Sequence, residues 1–218
     1  MKKIAVVLVS GLFGLLFMAG TVFANETSMD ARLERARSYF GDERLTDQNG
    51  VTHRFVSDLL NNHVVLINVI FTNCQDACPM QTQKLQWVRK QLGDYFGSRI
   101  LFLSLSVDPK RDNPAMLKTF ADKQQANVDG WKFLTAEERV MARVLGRLNQ
   151  WTADPNNHST LLIAGNARTA HWVKLRPDTP PERIVADLRR LADARAWQAP
   201  RALVRHSLPA RFLRTRAG

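Results

Sequence analysis

The feature that most constrains the fold is a run of nine residues, His63 to Phe71, in which nearly every side chain is apolar and several are β-branched. Such a run is typical of a central β-strand that is covered on both faces. The pattern changes to helical spacing from Pro79, and proline suits the first turn of a helix. We therefore expect a strand, a short loop and a helix over residues 63–92.

The rest of the chain alternates strand and helix patterns. Asn113-Pro114 suits the start of one helix, Thr135 with Glu138 forms a capping box for another, and Gly165-Asn166 predicts a turn between two antiparallel strands. Further strands are predicted at 100–107, 131–134, 160–164 and 169–175, a small hairpin before residue 55, a short helix or extended lead-in over 25–44, and a last helix from 179. This order predicts an α/β fold in which helices cover a central mixed β-sheet.

The first 24 residues are typical of an export signal. Lys2 and Lys3 give a positive start, residues 4–23 are mainly apolar, and Ala24 ends a short-residue cleavage pattern. The alternative is an uncleaved membrane anchor, because about twenty apolar residues suffice to span a bilayer. In either case we expect an exported, periplasmic protein in which residues 25–197 form one domain.

Basic residues outnumber acidic ones, with 31 Lys and Arg against 20 Asp and Glu and a net charge of +11. Residues 195–218 alone contain six arginines and no acid. We interpret residues 198–218 as a basic tail. Outside the cytoplasm we expect no nucleic-acid partner. The tail then either binds an anionic membrane surface or an acidic protein, or is solvated without a specific partner.

Cys74 and Cys78 lie between the predicted central strand and the helix that follows it. Their spacing places both side chains on one side of a first helical turn, about 5–6 Å apart at Cβ. The sulfurs can therefore close a disulfide or hold one metal ion together. A helix N-terminus is also expected to lower the pKa of a thiol. The remaining alternative is that the cysteines form an inert disulfide or are merely buried, although a disulfide that closes so small a loop stabilises a fold little.

Among the five histidines, His158 is best placed to join the cysteines. It ends the loop before the strand predicted at 160–164, and a strand–helix unit with cysteines at its junction is the thioredoxin arrangement, in which that loop faces the cysteine turn. His53 and His63 are predicted to lie at the other end of the central strand. Two thiolates and one imidazole suit copper better than structural zinc, which requires four protein ligands.

Three further residues carry weaker signals. Ser159 stands where a thioredoxin would have a cis-proline, which favours metal binding over general disulfide exchange. Asp108 follows the second core strand and is either a site residue or the start of a turn. Met80 is either a soft ligand or, at helical spacing, a core residue.

Three segments together resemble the Sco/SenC family of copper-binding assembly factors of cytochrome c oxidase. They are Phe-Thr-Asn-Cys-Gln-Asp-Ala-Cys-Pro at 71–79, Ser-Val-Asp-Pro-Lys-Arg-Asp-Asn-Pro at 106–114, and Asn-His-Ser-Thr at 157–160. The first motif alone is moderately specific, whereas the combination is strongly so. The resemblance extends over about residues 45 to 190.

The resemblance implies a thioredoxin-like fold and a copper chaperone that binds one copper ion per chain through Cys74, Cys78 and His158. The implied partner is the subunit that carries the dinuclear copper site of a terminal oxidase. Two alternatives stay open. One is a thiol–disulfide reductase in which Cys74 and Cys78 form a redox-active pair that keeps the partner's copper-ligand cysteines reduced. The other is a copper or redox sensor. His158 distinguishes the copper chaperone from the reductase, because copper retention needs the histidine whereas reduction needs only the two cysteines.

Overall fold

The computed structural model describes residues 30–75 and 77–193. The predicted signal or anchor at 1–24, the predicted basic tail at 198–218, and the predicted domain boundaries at 25 and 197 lie outside the described residues. Within the described residues, no helix has the length and apolar character needed to cross a membrane.

Seven strands of the described chain form one mixed sheet. They are β1 (Arg44–Asp47), β2 (Thr52–Arg54), β3 (Val64–Ile70), β4 (Ile100–Ser106), β5 (Trp131–Thr135), β6 (Leu162–Asn166) and β7 (His171–Leu175). Their order across the sheet is β2-β1-β5-β4-β3-β6-β7. Strands β3, β4 and β5 are parallel to one another, whereas β6, β7 and the β1–β2 hairpin pair antiparallel to their neighbours. The predicted mixed sheet is confirmed.

Helices lie on both faces of this sheet. They are α1 (residues 30–40), α2 (Ala77–Leu92), α3 (Pro114–Lys123), α4 (Glu138–Arg147) and α5 (Pro181–Ala192). Parallel crossovers are almost always right-handed, and the β3–α2–β4 and β4–α3–β5 units proceed in the same direction across the sheet. Helices α2 and α3 therefore share one face. Helix α5 packs against α2. On the other face, Phe40 of α1 packs against Trp172 at a ring-centroid distance of 4.7 Å, and Arg143 of α4 pairs with Glu43.

Strand β3 is the centre of the core. All seven of its residues are buried, as are all seven of β4, because helices cover both faces and hydrogen-bonded strands flank both edges. Pairing with β4 continues to the last residue of β3, where Ile70 lies opposite Ser106. Pairing with β6 stops earlier, at Ile67 opposite Ile163. The carboxyl end of β3 therefore extends beyond β6 and leaves room for the loops that carry the cysteines and His158.

One predicted helix start is confirmed and one is wrong. Asn113 caps α3, since its Oδ1 accepts a hydrogen bond from the backbone N–H of Met116 at 3.0 Å. The capping box at Thr135 does not form. Thr135 is the last residue of β5 and pairs with Thr46, while Glu137 precedes α4 and makes no side-chain capping bond. Because α4 begins only at Glu138, the cap position falls on Glu137, two residues after Thr135.

The turn predicted at Gly165-Asn166 is also wrong. Both residues belong to β6, and Gly165 lies opposite Trp172 of β7. The chain reverses one residue later, over residues 167–170, where Ala170 has a φ of 55°. Gly165 is needed in the strand because a Cβ atom there would overlap the indole ring of Trp172. The glycine thus marks a close approach of a side chain, which is the other common role of glycine in a strand.

We predict that Gly165→Ala lowers the free energy of unfolding by about 1–3 kcal/mol, because the added methyl group displaces the Trp172 ring. The matched control is Gly146→Ala in α4, where nothing lies within 4 Å of the added Cβ atom. That variant should be stabilised by up to about 1 kcal/mol through helix propensity. Urea unfolding measures both values, and equal changes of the same sign would contradict the proposed steric conflict.

Candidate metal centre

The two cysteines lie where the chain leaves β3 and enters α2. Cys74 is half-buried in the connecting loop, and its backbone N–H donates to the carbonyl of Phe71 at 3.2 Å. Cys78 is the second residue of α2 and is only 1% exposed. Its backbone N–H, one of the donors left free at a helix start, donates to the Sγ of Cys74 at 3.3 Å. Both cysteines are free thiols, and they occupy clearly different environments.

Burial decides the acid–base behaviour of Cys78. It raises the pKa of the Cys78 thiol above its ordinary value, and the neighbouring Cys74 thiol and the carboxyl group of Asp112 raise it further. The expectation that the helix N-terminus would lower the thiol pKa is therefore wrong for Cys78, because loss of solvent outweighs the helix dipole there. Without a metal or a reaction partner, Cys78 is a neutral thiol at physiological pH.

His158 reaches the cysteines from a separate part of the chain. It follows a short 3₁₀ turn, Pro155–Asn157, and its Nδ1 lies 2.8 Å from the carbonyl oxygen of Pro155. Because a carbonyl can only accept, Nδ1 carries the proton, and the Nε2 of the neutral ring is left with a lone pair. Nε2 lies 3.7 Å from the Sγ of Cys78, and the imidazole packs edge-to-face with Phe71. The ring thus directs an unprotonated nitrogen at the buried thiol.

These groups are the donor set that the sequence predicted for copper. Two sulfurs and one imidazole nitrogen suit a soft metal ion, so the residues present fit the metal that the resemblance implies. The described residues contain no group of three or more His, Cys, Asp or Glu side chains that is already arranged to hold a metal. The contact between Cys78 and His158 is formed in the structure, whereas the Sγ of Cys74 accepts a hydrogen bond from the backbone N–H of Cys78 in α2.

The other sequence candidates lie elsewhere. His53 bonds to the buried Asp47 in the β1–β2 hairpin, with 2.9 Å between Nε2 and Oδ2. His63 directly precedes β3, at the end opposite the cysteines as predicted, and burial lowers its pKa. Met80 is 71% exposed, so its assignment to the core face of α2 is wrong. His206 falls outside the described residues. Among the histidines in the described part of the chain, His158 is the one that contacts a cysteine.

Asp112 is a site residue that sequence reasoning missed. It is fully buried, and its carboxylate accepts hydrogen bonds from the backbone N–H of Thr72 at 3.2 Å, from the Thr72 hydroxyl at 2.5 Å and from the Ser106 hydroxyl at 2.6 Å. Burial raises the pKa of its carboxyl group, and these hydrogen bonds partly offset that rise. Asp112 thus ties the start of the cysteine loop to the end of β4. The available signal was its place in the sequence: it follows the second core strand and directly precedes Asn113, the predicted start of a helix.

Asp108, which sequence reasoning did single out, lies beside the site rather than in it. Its carboxylate pairs with Arg111 at 3.5 Å. It lines a cleft of about 330 Å³ together with Asn73 and Trp151, next to the cysteine loop. Asp108 therefore forms part of the cleft wall, whereas the carboxylate that accepts hydrogen bonds from Thr72 at the start of the cysteine loop is that of Asp112.

Comparison with known proteins decides the family. The SCO1/SenC family model matches residues 33–193, which include both cysteines and His158. The chain belongs to the SCO1/SenC family. This result confirms the resemblance drawn from the three sequence motifs, and the matched region coincides closely with the described part of the chain.

Two curated relatives give the extent of the sequence similarity. The SCO2-like protein of Rickettsia felis is 30% identical over 159 residues, which cover 68% of this SCO1/SenC chain and 75% of that protein. The SCO1 protein homolog of Bacillus subtilis is 37% identical over 94 residues, or 43% of this chain. That second match spans 48% of the relative, about half of its length.

Solved structures confirm the predicted thioredoxin-like fold. ScoI of Bradyrhizobium japonicum, whose structure contains copper, is 26% identical with a TM-score of 0.57, over 68% of this chain and 96% of that one. BsSco, a member of the Sco family of cytochrome c oxidase assembly proteins in which a disulfide switch was identified, is 25% identical with a TM-score of 0.58. That likeness covers 69% of this chain and 91% of BsSco.

We predict that the two thiols of the reduced, copper-free protein react at different rates. Cys74 should be alkylated rapidly and Cys78 at least about tenfold more slowly, because the buried, neutral Cys78 offers little thiolate to the reagent. Single-cysteine variants, Cys78→Ser and Cys74→Ser, allow each rate to be followed by intact mass. Equal rates would show that the burial of Cys78 does not persist in solution.

Proposed function

We propose that this chain binds one copper ion through Cys74, Cys78 and His158 and delivers it to the dinuclear copper site of a terminal oxidase. The observation that carries the proposal is the 3.7 Å contact between the Sγ of Cys78 and the Nε2 of His158, two residues 80 positions apart. The bond from Nδ1 to the Pro155 carbonyl favours the imidazole tautomer that a metal requires.

Copper is the cargo in this proposal, and the chain supplies the donors. Each thiol must lose its proton when copper binds, so loading replaces S–H bonds with S–Cu bonds and releases protons to solvent. Cys74, which is half-exposed, is the sulfur that an incoming copper donor meets first. Cys78 and His158 then hold the ion from the protein side. Soft, partly accessible ligands of this kind suit a protein that must also release its metal.

A specific observation also favours a second function, thiol–disulfide reduction of the same partner. Cys74 is the more accessible of the two cysteines, and the Cys78 backbone N–H donates to its Sγ, which holds the attacking sulfur beside Cys78. In that reaction Cys74 attacks the partner's disulfide and forms a mixed disulfide. Cys78 then displaces the partner's second thiol and closes a Cys74–Cys78 bond. Both functions use the same two sulfurs, so a copper-loaded chain cannot perform the reduction.

The proposed site of action is outside the cytoplasm, most simply in the periplasm. The support is the export signal or anchor that the sequence predicts at residues 1–24. The arginines of residues 198–218 could in addition hold the protein near an anionic membrane surface, where a terminal oxidase resides. In this proposal the partner is the oxidase subunit that receives the copper.

We predict that the reduced chain binds one copper ion and that His158→Ala weakens binding at least about tenfold, since one of three ligands is lost. Cys78→Ser should abolish tight binding. The control is His171→Ala, because His171 lies opposite Asn166 and therefore near the amino end of β3, away from the cysteines. Competition with a chromogenic copper chelator measures each affinity. Tight one-to-one binding by Cys78→Ser would sink the two-thiolate model.

We further predict that His158→Ala leaves the Cys74–Cys78 couple nearly unchanged. Its reduction potential should shift by less than about 30 mV, which corresponds to a tenfold change in the equilibrium constant, because disulfide formation needs only the two sulfurs. Equilibration with a glutathione redox buffer gives the value. A larger shift, with copper affinity unaffected, would indicate that His158 serves the thiol chemistry and would favour the reductase function.

A further inference from the structure

A line of polar side chains crosses the apolar core beneath the candidate metal centre. The Trp131 indole N–H donates to the Ser104 hydroxyl oxygen at 2.9 Å, and the Ser104 hydroxyl donates to the Oδ1 of Asn68 at 2.8 Å. The Asn68 amide N–H donates to the Oε1 of Gln81 at 3.3 Å. The Gln81 amide N–H donates to the backbone carbonyl of Thr160 at 2.7 Å. The line therefore connects β5, β4, β3 and α2 with the loop that carries His158.

The group at each end of this line has only one possible role in a hydrogen bond, donor or acceptor. These roles determine the direction of every hydrogen bond between them. The indole of Trp131 can only donate, and the carbonyl of Thr160 can only accept. Gln81 must therefore present its amide nitrogen to Thr160 and its oxygen to Asn68, and Asn68 must present its oxygen to Ser104. Each interior group donates once and accepts once along the line, so the side-chain orientations support one another.

The burial of the line makes it costly to break. Trp131 and Ser104 are fully buried and Asn68 is 1% exposed, and a buried amide without a partner is strongly unfavourable. The amide of Asn68 is thus held in place from the sheet side. Gln81 is half-buried in the second turn of α2. Its oxygen accepts a hydrogen bond from Asn68, which orients its amide nitrogen toward the carbonyl of Thr160. Gln81 is therefore less free to turn toward solvent than an ordinary helix-surface glutamine.

The loop at its far end has few other attachments. Pairing between β3 and β6 begins only at Ile163, so residues 158–161 lie beyond that ladder. In the described structure, the other hydrogen bonds of residues 157–161 stay within the loop, apart from the contact between His158 and Cys78, and the His158 ring also packs against Phe71. They include the His158 N–H to the Pro155 carbonyl and the Leu161 N–H to the Ser159 hydroxyl. The bond from Gln81 is thus the hydrogen bond that attaches this loop to α2 beyond the contact with Cys78 itself.

We propose that Gln81 is a positioning residue that holds the His158 loop against Cys78. Gln81 follows Cys78 by three residues on α2, and Thr160 follows His158 by two. The Gln81–Thr160 bond and the Cys78–His158 contact therefore join α2 and the loop at two neighbouring points. Its role in copper retention rests on the proposed function, whereas its role in placing the imidazole does not.

The test compares two isosteric changes on the same helix. Gln81→Glu keeps the shape and the oxygen that accepts from Asn68, but a carboxylate has no proton to give to Thr160. Gln86→Glu is the matched control, because Gln86 is also half-buried and its amide donates to a backbone carbonyl, that of Gln124, at 2.6 Å. Both variants lose one bond to a backbone carbonyl, and both keep the bond that the side-chain oxygen accepts, from Asn68 at position 81 and from Arg89 at 3.0 Å at position 86. Because Arg89 would pair with the new carboxylate, the two variants are compared by measurements at the site and not by stability.

Two measurements on the full-length, reduced chain separate the outcomes. In the copper-free protein, NMR should show nuclear Overhauser effects between the rings of His158 and Phe71 in the wild type and in Gln86→Glu, and weaker ones in Gln81→Glu, because this ring contact requires the loop to stay in place. In copper titrations, Gln81→Glu should raise the dissociation constant about 10–100-fold, as losses in the outer coordination sphere do, and Gln86→Glu should leave it unchanged.

Equal results for the two variants in both measurements would overturn the proposal. A wild-type chain that binds no copper would instead overturn the proposed function, and the comparison of the His158–Phe71 ring contact would still decide on Gln81. If the new carboxylate prevents folding, Gln81→Met and Gln86→Met repeat the comparison with neutral side chains of similar length. The same differences between the two positions are then expected, and their absence would again count against the proposal.

Discussion

The complete burial of β3 is the constraint on which the rest of the structure depends. A strand that is hydrogen-bonded on both edges and covered on both faces has little freedom in register, because a shift of one residue would exchange its two buried faces. The carboxyl end of β3 at Ile70 therefore has a defined position. Cys74 and Cys78 follow it within eight residues. The position of the core strand therefore determines where the two thiols lie.

The environment beyond the end of β3 makes two chemically similar thiols different. Burial keeps Cys78 protonated, whereas Cys74 lies partly exposed with a backbone N–H directed at its sulfur. Asp112 accepts hydrogen bonds from Thr72, at the start of the cysteine loop, and from Ser106, at the end of β4, and so attaches the loop to the core. An accessible sulfur paired with a sheltered one serves either use, since copper transfer and thiol exchange both need one sulfur for approach and one for retention. This shared requirement explains why the geometry supports both functions.

Sequence reasoning succeeded where a local pattern has one structural solution. The apolar run before Cys74 predicted the central strand, and Asn113-Pro114 predicted the start of α3. It failed where sheet pairing overrides local preference. Thr135 has the sequence of a helix cap but is held in β5 by Thr46, and Gly165 has the sequence of a turn but is required in β6 by the ring of Trp172. Both errors arose at strand ends, where long-range pairing decides the backbone conformation.

By itself, the sequence determined the α/β class, the strand–helix junction with its two cysteines, the choice of His158 and, through three motifs, the family. These features depend on residue type and spacing, which a chain carries without folding. Only the tertiary structure decided that the pKa of Cys78 is raised, that Asp112 and Gln81 support the two loops, and which nitrogen of His158 faces the thiol. Those properties arise from burial and from hydrogen bonds between residues as far as 80 positions apart, which exist only after the sheet has assembled.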